Sequence, residues 1–145
     1  MSKAFVAVIA SMALAGCGGV PRMLTQQCKK DNAASCTIVV TATSSGDRCS
    51  VDVSNEELVV EHGNHDPDLV WQLITPGFAF ASPGVVFGDV DQLKLKRATA
   101  TEVRWSDRNT DGKQYAYTVL VVKPDSTGDH EYIKCTPLDP WIHNQ

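Results

Sequence analysis

Two short polar runs carry the residue types that metal chemistry needs. Asp107-Arg108-Asn109-Thr110-Asp111-Gly112 has the D-x-N-x-D-G spacing that opens a calcium loop. Calcium takes six to eight oxygen ligands, and such loops draw a bidentate pair from a Glu at position twelve. Position twelve here is Thr118. The same six residues suit a polar hairpin turn, because Asn, Asp and Gly tolerate left-handed backbone. The turn is the plainer expectation. His62-Gly63-Asn64-His65-Asp66-Pro67-Asp68 is the second run. Its two imidazoles and two carboxylates suit a divalent transition metal such as zinc or copper. A blue-copper centre would also want a thiolate and usually an axial Met late in the chain, and no Met follows Met23. The metal candidates are therefore His62, His65, Asp107, Asn109 and Asp111, with an exposed loop as the simpler reading of the histidines.

Covalent and acid–base catalysis find no motif. The chain lacks a Gly-x-Ser-x-Gly elbow, a His-Glu-x-x-His pair and a phosphate-cradling glycine loop. Glu56 and Glu57 are adjacent and would project to opposite faces of a strand, so they form no two-carboxylate site by themselves. No catalytic residue and no cofactor is expected, and the chain is not expected to be an enzyme.

Five cysteines divide into one and four. Cys17 ends the run Leu14-Ala15-Gly16-Cys17, directly after the apolar residues 4–14, and Lys3 supplies a positive charge ahead of them. Eleven residues in a helix span only about 16 Å, about half of a hydrocarbon core, which is too short to cross a membrane permanently. A charged start, an apolar stretch and a small-residue ending make a secretion signal. The four residues resemble the lipobox of bacterial lipoproteins, in which the cysteine is acylated and becomes the first residue of the mature chain. The resemblance implies two acyl chains on the sulfur and usually a third on the new amino group, and two or more chains anchor stably. Gly18 stands where an Asp would favour inner-membrane retention. The expected address is the cell envelope, with the chain held in the outer membrane through Cys17 and facing the periplasm.

Cys28, Cys36, Cys49 and Cys135 remain. An even number in an exported chain suggests two disulfides, of three possible pairings. The favoured set is Cys28–Cys36, closing a short polar loop, and Cys49–Cys135, tying an early strand to the last one. A zinc site is the rival, but no CxxC spacing supports it.

Removing residues 1–16 leaves 129 of 145 residues, enough for one domain with a sizeable core. The removal takes away Lys3 and moves the net charge from −4 to −5. A mildly acidic domain whose only basic groupings are Lys29-Lys30 and Lys94-Leu95-Lys96-Arg97 is a poor binder of nucleic acid. Residues 1–16 are expected to be the signal, 17–27 a tether and 28–145 the folded domain.

The pattern in that domain is β throughout. Thr37-Ile38-Val39-Val40-Thr41-Ala42-Thr43 is β-branched, and Cys49, Val51 and Val53 alternate with polar residues. Leu69, Trp71 and Leu73 share one face, and residues 115–122 form the longest β stretch. Period-2 segments of four to eight residues, broken by Gly, Pro, Asn and Asp, argue for strands. The expected fold is all-β, an antiparallel immunoglobulin- or cupredoxin-like sandwich of about seven to nine strands. Trp71 and Trp105 fall in phase with apolar neighbours and are expected in the core. Trp141 is expected to clamp the tail onto the sandwich, or else to offer a contact surface.

Trp71-Gln72-Leu73, Gly77-Phe78-Ala79-Phe80, Gly84-Val85-Val86-Phe87, Asn109 and Tyr115-Ala116-Tyr117-Thr118-Val119 precede the ending Leu138-Asp139-Pro140-Trp141-Ile142-His143-Asn144. Residues 49–144 thereby resemble a recurring small bacterial β-sandwich module with an Asp-Pro-x-Ile-x-Asn tail. The resemblance implies a fold and assigns no activity. The expected function is a non-catalytic binding or envelope-structural role, with a periplasmic or envelope protein as partner. The alternatives are an inhibitor or immunity lipoprotein against a secreted lysozyme-like enzyme or protease, and a metal-binding lipoprotein.

Overall fold

The computed structural model describes residues 23–124 and 132–145; Cys17 and the expected signal lie outside the described residues. Two facing sheets bury alternate side chains between them. β2 (Thr37–Ser45) turns Ile38, Val40 and Ala42 inward and its threonines outward, and β3 (Arg48–Val53) does the same with Cys49, Val51 and Val53. β5 (Asp68–Leu73) contributes Leu69, Trp71 and Leu73, and β9 (Gln114–Pro124) contributes Tyr117, Val119 and Val121. The period-2 patterns are thus the physical cause of the layers, since every second residue faces the other sheet.

The remaining strands are β1 (Met23–Cys28), β4 (Asn55–Val60), β6 (Ala79–Phe87), β7 (Leu93–Ala98), β8 (Glu102–Asp107), β10 (Tyr132–Lys134) and β11 (Trp141–Asn144). One sheet runs β1-β4-β11-β9-β10, with β6 also paired to β9; the other runs β3-β2-β5-β8-β7. A short 3-10 turn, Ala33–Cys36, precedes β2. No helix among the described residues is long and apolar enough to cross a membrane.

The all-β sandwich is as expected, with two corrections. The sheets are mixed, because β1 and β11 both lie parallel to β4, and β2 lies parallel to β5. Parallel neighbours arise where the chain crosses between sheets: β4 leaves the β2–β3 hairpin for the first sheet, and β5 returns beside β2 pointing the same way. The strands also number eleven among the described residues. The extra ones are short, and β1 occupies residues 23–27 of the segment expected to be a tether. Its residues show no apolar alternation. Backbone pairing with β4 holds it, Gln26 Nε2 donates to the carbonyls of Ser35 (2.6 Å) and Thr37 (3.0 Å), and Cys28 is bonded to Cys36. Both favoured disulfides are present, Cys28–Cys36 and Cys49–Cys135.

The core centres on rings. Trp71 is fully buried, with centroids 5.1 Å from Tyr117 and 5.9 Å from Phe87, and Phe87 lies 5.0 Å from Trp105, all edge-on. Edge-to-face pairs at such distances add to what area burial gives. Trp71 meets its expectation, and Trp105 is partly buried against the same cluster.

Candidate functional site

The D-x-N-x-D-G segment is a buckle that buries Asp107 and Asn109 and leaves Arg108, Thr110 and Gly112 exposed. β8 ends at Asp107, which is fully buried, and its Oδ1 accepts the Asn109 backbone N–H at 2.9 Å and Asn144 Nδ2 at 3.1 Å. Asn109 has φ 49°, a left-handed conformation that Asn tolerates better than most residues. Its Nδ2 donates to the carbonyls of Glu61 (2.9 Å) and Asn64 (3.2 Å), and its Oδ1 accepts the Gln145 N–H at 3.1 Å. Asp111 Oδ1 accepts the Lys113 N–H at 3.2 Å, its Oδ2 accepts the Tyr115 hydroxyl, and the Asn144 N–H donates to the Lys113 carbonyl at 2.9 Å. One turn thereby ties together β8, β9, the loop after β4 and the end of β11.

The electrostatics follow from depth. Burial raises the Asp107 pKa above the ordinary carboxylate value, against the donations from Asn109 and Asn144, and the nearby charges of Asp111 and Asp66 push the same way. Burial also works to raise Asp111, but donations from Tyr115, the Lys113 N–H and Asn144 outweigh it and hold the group low. Tyr115 is pushed up to about 12, by burial first and then by Asp111. Asp107 Oδ2 and Asn144 Oδ1 are buried with no hydrogen-bond partner.

The structure brings Asp107, Asn109 and Asp111 together and leaves the histidines apart. His62 and His65 are exposed on the loop between β4 and β5. Among the described residues, no three His, Cys, Asp or Glu side chains gather closely enough to hold a metal ion. The Asn109 carboxamide is already engaged with peptide groups on both its atoms. Thr118, at loop position twelve, lies in β9 and donates to Asp139 Oδ1 at 2.6 Å. The expected hairpin turn is not formed, because β8 and β9 belong to different sheets. The calcium-like spacing describes a crossover between the sheets whose side chains fasten other segments, and Asn144 is the member of that buckle the spacing did not indicate. The sequence signal for it was the Asn of the Asp-Pro-x-Ile-x-Asn tail.

The second feature is the outer face around Trp141. β11 sits between β4 and β9, with Trp141 opposite Glu57 and Ala116, and Ile142 and Asn144 fully buried on the inner side. Ile142 and Asn144 fasten the tail, while Trp141 is 48% exposed. The side chain expected to clamp the tail is half exposed, and the fully buried Ile142 and Asn144 hold the tail instead. Pleat parity decides this, since residues on either side of Ile142 must point outward. Beside the indole, Glu57 Oε1 accepts Gln114 Nε2 at 2.9 Å and lies 3.4 Å from His143 Nδ1. On its other side a cleft of about 150 Å³ is lined by Val53, Glu56, Leu138, Asp139, Pro140 and Trp141.

No protein-family model matches the chain, and no curated protein matches it significantly.

Proposed function

We propose that the chain is a lipid-anchored module of the bacterial envelope, held in the outer membrane through Cys17 and facing the periplasm. Its role is non-catalytic binding or structural support, with an envelope or periplasmic protein as partner. The observation that carries this is the cysteine accounting. Cys28, Cys36, Cys49 and Cys135 pair among themselves, so Cys17 alone stands outside the disulfides, at the end of a lipobox-like run. Two disulfides suit an oxidising compartment, where exported proteins reside. Only five residues separate Cys17 from β1, so an anchored domain stays within about 20 Å of its lipid even with that segment fully extended.

Cys17→Ser tests the anchor. The wild-type chain is expected in the membrane fraction, released by detergent, and with a mass increased by acyl chains. The variant is expected in the soluble periplasmic fraction without that mass. Identical partitioning of the two, or an unmodified wild-type mass, would remove the lipid anchor from the account. Cross-linking in intact cells and identification of the captured protein tests the partner half.

A further inference from the structure

Building on the binding role proposed above, we infer that β7 takes an extended acidic segment of a partner polypeptide as an added strand. Placement comes first. β7 is the last strand of its sheet and pairs with β8 alone. Leu93 is buried, and residues 94–98 are exposed. An edge strand of that kind offers a row of backbone N–H and C=O groups that a further strand completes. Charge comes second. Lys94 lies opposite Ser106 and Arg97 opposite Arg104, and both of these face outward because Val103 and Asp107 turn inward. The register shifts between Leu95 and Arg97, and Lys96 Nζ reaches Asp68 Oδ1 on the same outer face at 2.7 Å. Lys94, Lys96, Arg97 and Arg104 thereby share one rim with two acids, Asp68 and Glu102. Asp68 takes Lys96 and Arg104, and Glu102 takes Arg104 as well. Lys94 and Arg97 pair with no carboxylate among the described residues. Asp66, Asp91 and Arg108 line the hollow at the Leu93 end, so the surplus of positive charge runs from Lys94 to Arg97.

An acidic strand matches each part of that edge. In strand addition the backbone ladder supplies affinity and alternate side chains supply selectivity. Side chains two residues apart along a strand share a face and stand about 7 Å apart, so Glu or Asp at every second position meets the basic rim repeatedly. Unlike charges opposite each other across strands attract, and like charges repel. A second copy of the chain is thereby excluded, since it would set Lys94, Lys96 and Arg97 against themselves. An anionic lipid surface meets the charges but leaves the backbone row unpaired. Leu95, 38% exposed on the opposite face of β7, adds apolar surface for the alternate residues of the incoming strand. The rest of the molecule sharpens the choice of edge. With a net charge of −4, the surface at large repels an acidic segment, while the β7 rim attracts it. The other end of the sheet, β3, carries Arg48 and Asp52 and has no such surplus.

The test uses the full chain purified in detergent and a fluorescein-labelled Glu-Val-Glu-Val-Glu-Val peptide, read by fluorescence polarisation. Saturable binding that weakens as salt rises is expected, with Lys-Val-Lys-Val-Lys-Val not bound. Glu-Pro-Glu-Pro-Glu-Pro has the same charge but lacks the N–H groups for a ladder, and should bind about tenfold more weakly. The double variant Lys94→Gln/Arg97→Gln should weaken binding by about fivefold or more. Lys29→Gln/Lys30→Gln, the same charge change on the exposed segment after β1, should leave it unaltered. Bound peptide should slow amide hydrogen exchange in residues 94–98. Absence of saturable binding overturns the proposal. So do equal binding of the proline peptide, equal losses in the two double variants, and protection that falls outside β7. In reconstituted vesicles, exchange in residues 94–98 should be the same with phosphatidylcholine alone and with phosphatidylglycerol added. Protection by the anionic lipid would give the edge to the membrane and overturn the proposal too. Thermal unfolding confirms that each variant is folded, and the proline peptide decides the matter on the unaltered chain. The peptide assay reads the same with or without lipid on Cys17. If cross-linking captures one partner equally with the wild type and with Lys94→Gln/Arg97→Gln, the binding role stands and β7 is not its site.

Discussion

Asn109 is the residue on which most of the polar interior converges. Removing its side chain takes the donor from the Asn64 carbonyl and the acceptor from the Gln145 N–H, and leaves the Glu61 carbonyl with the Asn64 N–H alone, at a position whose left-handed backbone disfavours other residues. Asn109→Ala should therefore cost about 2–4 kcal/mol in urea unfolding, well above an ordinary surface change. Asp107 behaves differently, because its burden is charge. Its folded pKa is raised by burial, so the fold favours the neutral form. Its contribution is then most favourable below the unfolded value of 3.8 and declines as pH rises through the folded pKa. Asp107→Asn keeps an oxygen for Asn109 and Asn144 and carries no charge. Measured from about pH 3 to 7, the variant should gain stability relative to wild type as pH rises; a difference independent of pH would show that burial does not penalise this carboxylate. Asp111 and Asp68 have the opposite sign. The hydrogen bond from Lys96 is the leading cause that lowers Asp68, at 2.7 Å, with Arg104 adding to it. The contributions of both acids are present above 3.8 and are lost as pH falls through their depressed folded values.

Elements differ in how far their sequences announce them. β2, β3, β5 and β9 were legible because alternation is a side-chain property and each has one face in the core. β10 falls in a stretch, residues 131–135, that also reads as a strand. β11 and β1 were not legible, since β11 has only four residues in which to show a period, and a backbone ladder that most side chains permit holds β1. Parallel pairing was illegible for the same reason: direction is set by where the chain crosses between sheets. At the candidate site, the break between strands at 107–112 could be read locally, but not that it crosses between sheets, and its partners Asn64 and Asn144 come from distant segments. The outward aim of Trp141 depended on the register of a strand too short to show one. β6 shows how an element can hinge on one atom. Its pairing with β9 shifts between Phe80 and Val85, and Gly84 in that gap has φ 85°. A Cβ there would stand 2.6 Å from Val103 Cγ2 and 2.9 Å from Phe80 Cβ. Gly84→Ala should lose about 2–4 kcal/mol, from left-handed strain and from crowding in the core. A thermal midpoint unchanged from wild type would show that the strand can shift to make room.

The two disulfides act on the whole molecule at different ranges. Cys28–Cys36 spans 8 residues and pins the edge strand β1 to the entry of β2. Cys49–Cys135 spans 86 residues and staples β3 of one sheet to the segment after β10 of the other, where the Thr136 N–H donates to the Cys49 carbonyl at 2.9 Å. Loop-closure entropy assigns about 2.5 kcal/mol to the short link and about 4.6 kcal/mol to the long one. The long link also fastens two layers that otherwise meet through apolar contact and a few hydrogen bonds, so its loss should loosen the sheets from each other. The double variants Cys28→Ala/Cys36→Ala and Cys49→Ala/Cys135→Ala, compared by urea unfolding, should rank in that order of damage. Equal losses would mean that the unfolded chain keeps enough structure to erase the length dependence. The same logic bears on the compartment. A chain lacking residues 1–16 and made in a reducing cytoplasm should carry neither link and unfold at lower urea. Oxidation in vitro should restore its midpoint, and a midpoint indifferent to oxidation would show that the domain does not depend on an oxidising destination.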